Sequence, residues 1–303
     1  MAVAWRGVFA ALTTELHEDG SLDLDATRRH AELMIDAGCG GLVALGTIGE
    51  NTCFSAGEKR RILEAVVEVA DGRVPVLAGI AEFTTAFACA AAREAMAAGV
   101  DGLMVLPALA AEQDAREAAE HFAAVAAATP LPIMVYNNPV AYRTDLDPAA
   151  LEPLAGIANI VAVKDSSHDS RRLTDMIVAF GERFLLFCGV DDLVFENVLS
   201  GAVGWVSGLV NAFPIEAVRL FDLASEGRVA EARPLLRWFM PLLHLDRGPK
   251  LVQAVKLVNE LAGTGREWVR RPRLPLVGGE RERVELLVRR ALATLPGLSQ
   301  LSA

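Results

Sequence analysis

The sequence predicts an α/β chain folded as a (β/α)8 TIM barrel with a C-terminal helical extension. Three observations predict it. Eight short apolar stretches recur every ~20–35 residues, the length of one βα unit. Amphipathic helical stretches alternate with them. After the eighth, helices continue without strands. A doubly wound sheet is the competing architecture. Its first turn would carry a glycine-rich dinucleotide fingerprint, and Thr13-Thr14-Glu15-Leu16 is not one.

Each element has a local reason. Gly7 to Thr13 reads as the first strand, and Leu24 to Ala37 as an amphipathic helix stopped by Gly38. Gly41 to Leu45 is the second strand, ending in Gly46-Thr47-Ile48-Gly49-Glu50-Asn51. Ser55 is a good N-cap, with Glu58 as its capping-box partner, for a helix running to Ala70. Pro75 to Gly79 and Gly102 to Leu106 are the third and fourth strands, followed by helices from Thr84 to Ala98 and from Asp114 to Ala128. Pro132 to Tyr136 is the fifth strand, with a short helix over Pro148 to Leu154. Ile160 to Lys164 is the sixth, its helix running from Ser170 to Phe180. Phe184 to Cys188 is the seventh, followed by Leu193 to Leu199, and Gly204 to Ser207 is the eighth. Pro214 to Ala224, Val229 to Met240, Lys250 to Leu261 and Glu280 to Ala293 read as helices. Residues 1–212 are therefore read as the barrel, and 213–303 as barrel-closing helices and extension. No Ser-, Gly- or Pro-rich linker separates the two parts.

Composition narrows the function. With 52% apolar and 22% charged residues the chain is globular. A net charge of −10 with scattered basic residues leaves no footprint for nucleic acid or an anionic membrane. Met1 to Arg6 shows no secretory signal, and no apolar run reaches the roughly 20 residues of a membrane helix. Cys39, Cys53, Cys89 and Cys188 are scattered, without a C-x-x-C pair, as expected of thiols in a cytoplasmic protein. The five histidines show no metal-ligand spacing, so no metal is expected. Phosphate-loop and nucleophile-elbow motifs are absent.

In such a barrel the C-terminal strand ends converge on one mouth. Lys164 stands at the end of the sixth, after Ile160-Val161-Ala162-Val163. A lysine held in a pocket can lose its proton and attack a carbonyl or imine carbon as a Schiff-base nucleophile. The alternative is a strand-end lysine reaching out to water. Tyr136 ends the neighbouring fifth strand, where its hydroxyl can relay protons. Gly46-Thr47-Ile48-Gly49 offers backbone N–H groups and a hydroxyl for a carboxylate, or is an ordinary loop. Gly189 to Asp192 and Ser207-Gly208 complete the mouth, Val206 and Ser207 coming from the eighth strand. Asp191-Asp192 are either general acids at the mouth or, as aspartate prefers, caps of the helix that follows.

Gly46-Thr47-Ile48-Gly49-Glu50, Tyr136-Asn137-Asn138-Pro139 and Lys164, in that order, resemble the dihydrodipicolinate synthase / N-acetylneuraminate lyase family. The resemblance implies the same barrel with its helical tail, a homotetramer, and a Schiff base on Lys164 with a small 2-oxo acid and no other cofactor. Tyr136 would be the proton relay and Thr47 a further catalytic hydroxyl. Gly46, Thr47, Ile48, Gly189, Val206 and Ser207 would bind the carboxylate substrate.

Three positions depart from the dihydrodipicolinate synthases. Pro107 is followed by Ala108-Leu109 rather than an aromatic pair. Ala141 stands where an arginine is found, although Arg143 lies two residues further on, and Ile48 replaces a hydroxyl residue. Tyr136 to Tyr142, Gly204 to Pro214 and Trp238 to Leu243 look closer to 1-pyrroline-4-hydroxy-2-carboxylate deaminases of hydroxyproline breakdown. The expected reaction is therefore conversion of that pyrroline to 2-oxoglutarate semialdehyde and ammonia. Asp191 stands with Tyr142, Arg143 and His168 among the groups that would assist loss of water. The alternative is a pyruvate-dependent aldolase. A non-catalytic 2-oxo-acid binding protein is a minor third reading.

Overall fold

Stretches of four to six apolar residues cannot bury both faces alone, and here they do so by closing on themselves. The computed structural model describes residues 3–296; the ends of the 1–212 and 213–303 segments lie partly outside them. The eight strands form a closed parallel barrel in sequence order. They are β1 (Gly7–Ala11), β2 (Gly41–Ala44), β3 (Val76–Ile80), β4 (Gly102–Val105), β5 (Ile133–Asn137), β6 (Ile160–Asp165), β7 (Leu185–Cys188) and β8 (Gly204–Ser207). The TIM barrel expected from the alternating pattern is thus the observed fold.

Period-two alternation splits each strand between two cores. Val8, Ala10, Leu42, Val105, Val135 and Val163 face the helices. Phe9, Val43, Leu77, Met104, Met134, Ala162, Phe187 and Val206 fill the barrel interior. Trp5, Phe9 and Phe187 are linked edge to face, with ring centroids 6.5 and 5.2 Å apart. Their bulk explains two glycines. A Cβ on Gly102 would lie 2.4 Å from the Trp5 ring, and one on Gly204 2.1 Å from Phe187. Trp5, ahead of the first strand, is part of this buried packing.

The first helices are α1 (Leu24–Asp36), α2 (Ala56–Ala70), α3 (Thr85–Ala97) and α4 (Ala115–Ala127). After β5 come α5 (Pro139–Tyr142) and α6 (Pro148–Leu151), and after β6 and β7 come α7 (Arg171–Phe180) and α8 (Val194–Leu199). The Ser55–Glu58 capping box is present, and Asp114–Glu117 forms a second. α9 (Pro214–Ser225) packs on β1, and α10 (Val229–Leu243), α11 (Leu251–Ala262) and α12 (Gly278–Ala293) follow. No described helix is long and apolar enough to cross a membrane.

Three details differ from the expectations. β2 stops at Ala44 because Leu45 takes a positive φ of 58° and starts the turn. The helix α5 went unseen because it is one turn long, opened by Asn138 capping Ala141 and by Pro139 at its first position. Asp191 and Asp192 do not cap α8; they lie in a 3-10 turn, and no side chain caps that helix.

The tail is pinned to the barrel by a fully buried ion pair. Lys256 of α11 lies 3.0 Å from Glu50, and both side chains are sealed from solvent. Lys256 also donates to Thr14 O at 2.8 Å, and Glu50 accepts the Arg270 N–H at 2.9 Å. The glutamate ending the Gly46–Glu50 loop is thus an anchor, which fixes the loop that precedes it.

Candidate active site

Lys164 and Tyr136 are register partners on β6 and β5. Both continue the inward-facing series, Ala162 to Lys164 and Met134 to Tyr136, so both side chains enter the barrel. Lys164 is only 6% exposed. Its Nζ lies 3.9 Å from the centre of the Tyr136 ring, and no hydrogen bond or ion pair holds it among the described residues. Burial brings its pKa down to about 8, although the negative charges of Asp246 and Asp191 pull the other way. A lysine near that value carries an appreciable fraction of free amine at neutral pH.

The surroundings give the lysine room. A Cβ on Gly189 would lie 2.7 Å from Lys164 Cε and 2.1 Å from Ser166 Oγ. Glycine at the end of β7 is therefore a steric requirement of the lysine.

The Tyr136-Asn137-Asn138-Pro139 stretch is held by its asparagines. Asn137 donates to Asp165 at 2.9 Å and accepts from Leu146 N–H at 2.9 Å. Asn138 caps α5 with its oxygen and donates its amide to the Tyr136 hydroxyl at 3.1 Å. Burial raises the Tyr136 pKa, while hydrogen bonding from Asn138 and contact with the Ser166 and Thr47 hydroxyls oppose this. The phenol is thus a neutral proton carrier at physiological pH.

Thr47 shares a hydrogen bond with the Tyr142 hydroxyl at 2.7 Å, and the Tyr136 and Tyr142 rings meet edge to face at 6.2 Å. Burial pushes the Tyr142 hydroxyl up, so it too stays protonated. No backbone carbonyl among the described residues accepts the N–H of Thr47 or Ile48. Those two N–H groups are therefore left without a backbone acceptor.

Two spaces border the site. An inner cavity of about 30 Å³ is bordered by Gly46, Thr47, Ile48, Tyr136, Lys164, Gly189 and Val206. An outer cleft of about 490 Å³ is bordered by Thr47, Leu109, Ala141, Tyr142, Arg143 and Arg273. Thr47 borders both, and its hydrogen-bond partner Tyr142 borders the outer one. Arg273, from the run Arg270-Arg271-Pro272-Arg273, brings positive charge to the outer cleft and lies 3.7 Å from Glu50. Arg270 serves structure, binding Gly20 O and Glu58.

Of the catalytic and substrate-binding residues that the resemblance implied, Ser207 alone does not border the inner cavity. It follows inward-facing Val206, so alternation turns it outward, where its hydroxyl accepts the Val210 N–H at 3.1 Å. The sequence reading missed Asp246 altogether. It comes from a 3-10 turn (His244–Arg247) between α10 and α11, far from any strand end, and nothing local marks it. Asp191 reads from the sequence as either a general acid or a helix cap, and it is not the cap. Its carboxylate instead accepts from Trp205 Nε1 at 2.9 Å and Leu209 N–H at 3.0 Å.

The cysteines offer no competing chemistry. All four are free, and burial pushes the Cys39 and Cys188 thiols up to about 12. No group of three or more His, Cys, Asp or Glu side chains among the described residues is arranged to hold a metal.

Comparison with known proteins agrees with this geometry. The 4-hydroxy-tetrahydrodipicolinate synthase of Moorella thermoacetica is 34% identical over 285 residues, covering 93% of this chain and 95% of its own. An uncharacterized DapA-like lyase of Halobacterium salinarum is 36% identical over 227 residues, 75% of this chain and 74% of its own. The structure of the 4-hydroxy-tetrahydrodipicolinate synthase of Methylacidiphilum fumariolicum superposes with a TM-score of 0.92 at 28% identity, covering 99% and 100% of the two chains. A prophage protein of E. coli K12, solved in complex with pyruvate, gives 0.90 at 27% identity, covering 96% and 99%. Residues 4–291 match the dihydrodipicolinate synthetase family, and the chain belongs to it.

Proposed function

We propose that the protein is a lyase that forms a Schiff base between Lys164 and the C2 carbon of a small 2-oxo acid or its cyclic imine. The observation that carries this reading is the buried, unpaired Lys164 amine, its pKa near 8, facing Tyr136 inside the barrel. The amine attacks C2; as the lysine imine forms, water leaves from a 2-oxo acid, whereas in a cyclic imine the ring C2–N bond breaks and the ring nitrogen becomes an amine. The protonated imine then draws electrons from the C2–C3 region, so a bond at C3 breaks without a metal or organic cofactor. Tyr136 moves the protons, with the Thr47 hydroxyl beside it. The open N–H groups of Thr47 and Ile48, with Gly46 setting the turn, hold the substrate carboxylate. A cytoplasmic homotetramer belongs to the same reading.

Two reactions fit this chemistry. The relatives named as 4-hydroxy-tetrahydrodipicolinate synthases, and the pyruvate complex of a structural neighbour, favour a pyruvate-dependent aldolase. That is the better supported of the two. The outer cleft speaks for the other, ring opening and deamination of 1-pyrroline-4-hydroxy-2-carboxylate. Leu109 and Ala141 line it where an aromatic residue and an arginine would serve a condensing partner. Borohydride trapping with peptide mapping separates them. Pyruvate trapped on Lys164 without ammonia release supports the aldolase. An adduct with the hydroxypyrroline carboxylate, and ammonia in the unreduced control, supports the deaminase. No adduct with either refutes the Schiff base.

A further inference from the structure

The inner cavity holds two carboxyls besides the lysine, and one of them comes from outside the barrel. Asp191 follows β7, and Asp246 belongs to the turn between α10 and α11. They are tied together, the Asp191 N–H donating to Asp246 Oδ2 at 3.0 Å. Both border the cavity into which the unpaired Lys164 amine points. Asp191 has both oxygens engaged, with Trp205 and Leu209. Asp246 is the half-buried member, and Lys164, His168 and Asp192 are the other charged groups around it. Asp192 is itself paired with Arg247 at 2.5 Å.

Two acids in one poorly solvated space cannot both ionise cheaply. Burial raises both; the charge of Asp246 adds to it at Asp191, pushed up to about 7, and the charge of Asp192 adds to it at Asp246, while the Asp191 N–H opposes it there. Asp191 is therefore partly protonated near neutrality, and the pair can both give a proton and face a cation. Thr47 and Ile48, with their open N–H groups, border the same space and favour an anion. A ligand spanning the cavity meets groups for an anion and groups for a cation.

We propose that Asp246, steadied by Asp191, is the subsite for a nitrogen at the far end of a 2-oxo acid or cyclic imine bound to Lys164. The inference rests on the Schiff-base reading of Lys164. The chemistry of a ring imine suits it. Lys164 adds to C2 of the protonated imine, a lysine proton passes to the ring nitrogen, and the C2–N bond breaks. The lysine iminium then carries the positive charge and the freed amine is neutral. The proton held by the two carboxyls converts that amine to ammonium, which stays against them. A carboxylate in the same position would be repelled.

The test is borohydride trapping of the full chain, read by intact mass. The probes are 1-pyrroline-2-carboxylate, 2-oxopentanoate and 2-oxoglutarate, which differ in the far end of a five-carbon chain. Wild type is expected to trap 2-oxoglutarate less than 2-oxopentanoate; equal or better trapping overturns the subsite and needs no variant. Asp246→Asn should lower the ratio of pyrroline to 2-oxopentanoate adduct about tenfold, the strength of one charge-assisted hydrogen bond. Asp246→Glu should retain it. The 2-oxopentanoate arm cancels any change in Lys164 itself. An Asp246→Asn ratio equal to wild type overturns the subsite alone. A wild type that traps none of the three overturns the Schiff base and the subsite with it.

Discussion

Replacing Lys164 by methionine should abolish adduct formation and make the protein more stable at neutral pH. The two side chains are similar in length, and methionine carries no charge into the cavity. The magnitude follows from the pKa, which falls from the usual 10.5 to about 8 on folding. Each unit corresponds to ~1.4 kcal/mol, so burying the charged form costs about 3 kcal/mol. The sign is set by a base whose folded pKa is depressed. The unfolded chain binds more protons between the two values, so the cost is fully present below about 8 and lifts as pH rises toward 10.5. Urea unfolding of both proteins at pH 7 and at pH 10 measures it. The advantage of Lys164→Met should be about 3 kcal/mol at the lower pH and shrink at the higher. A variant less stable than wild type at pH 7, or an advantage independent of pH, would refute the reasoning that burial dominates the lysine.

Other outcomes follow from the same geometry. The rate of cyanoborohydride trapping with pyruvate should rise through pH 8 and then level; a rate still climbing tenfold per unit above pH 9 contradicts a depressed lysine. Tyr136→Phe should cut turnover by about 10²–10⁴-fold while leaving the Lys164 adduct detectable, as measured by steady-state assay beside mass spectrometry. Gly189→Ala forces a methyl against Lys164 and Ser166, so we expect loss of the adduct and a destabilisation of about 1–3 kcal/mol in urea. Lys256→Met leaves Glu50 buried without its 3.0 Å partner, at a cost of about 3–5 kcal/mol by the same measurement.

Much of this site lies in local sequence. Every barrel strand is a short apolar run, and the pattern that makes eight of them also makes their ends converge. Lys164 and Tyr136 could be placed together because neighbouring strands of a parallel barrel share a register, and alternation sends both inward. Ser55 and Glu58 announced their helix because a capping box is complete within four residues. Alternation also explains the place of Ser207, one residue beyond an inward-facing valine.

What tertiary structure decided is what depends on residues distant in the chain. The free energy of the Lys164 charge is set by desolvation inside the closed barrel, with Asp191 and Asp246 opposing it, and no window of sequence contains those groups together. Asp246 reaches the cavity only because the tail folds back, fixed by Glu50 and Lys256, 206 residues apart. Asp191 reads as a helix cap by composition, yet Trp205 and Leu209 claim its oxygens once β7 and β8 are side by side. Periodicity and capping act over a few residues and are written in the sequence; burial and charge act across space and exist only after the chain has closed.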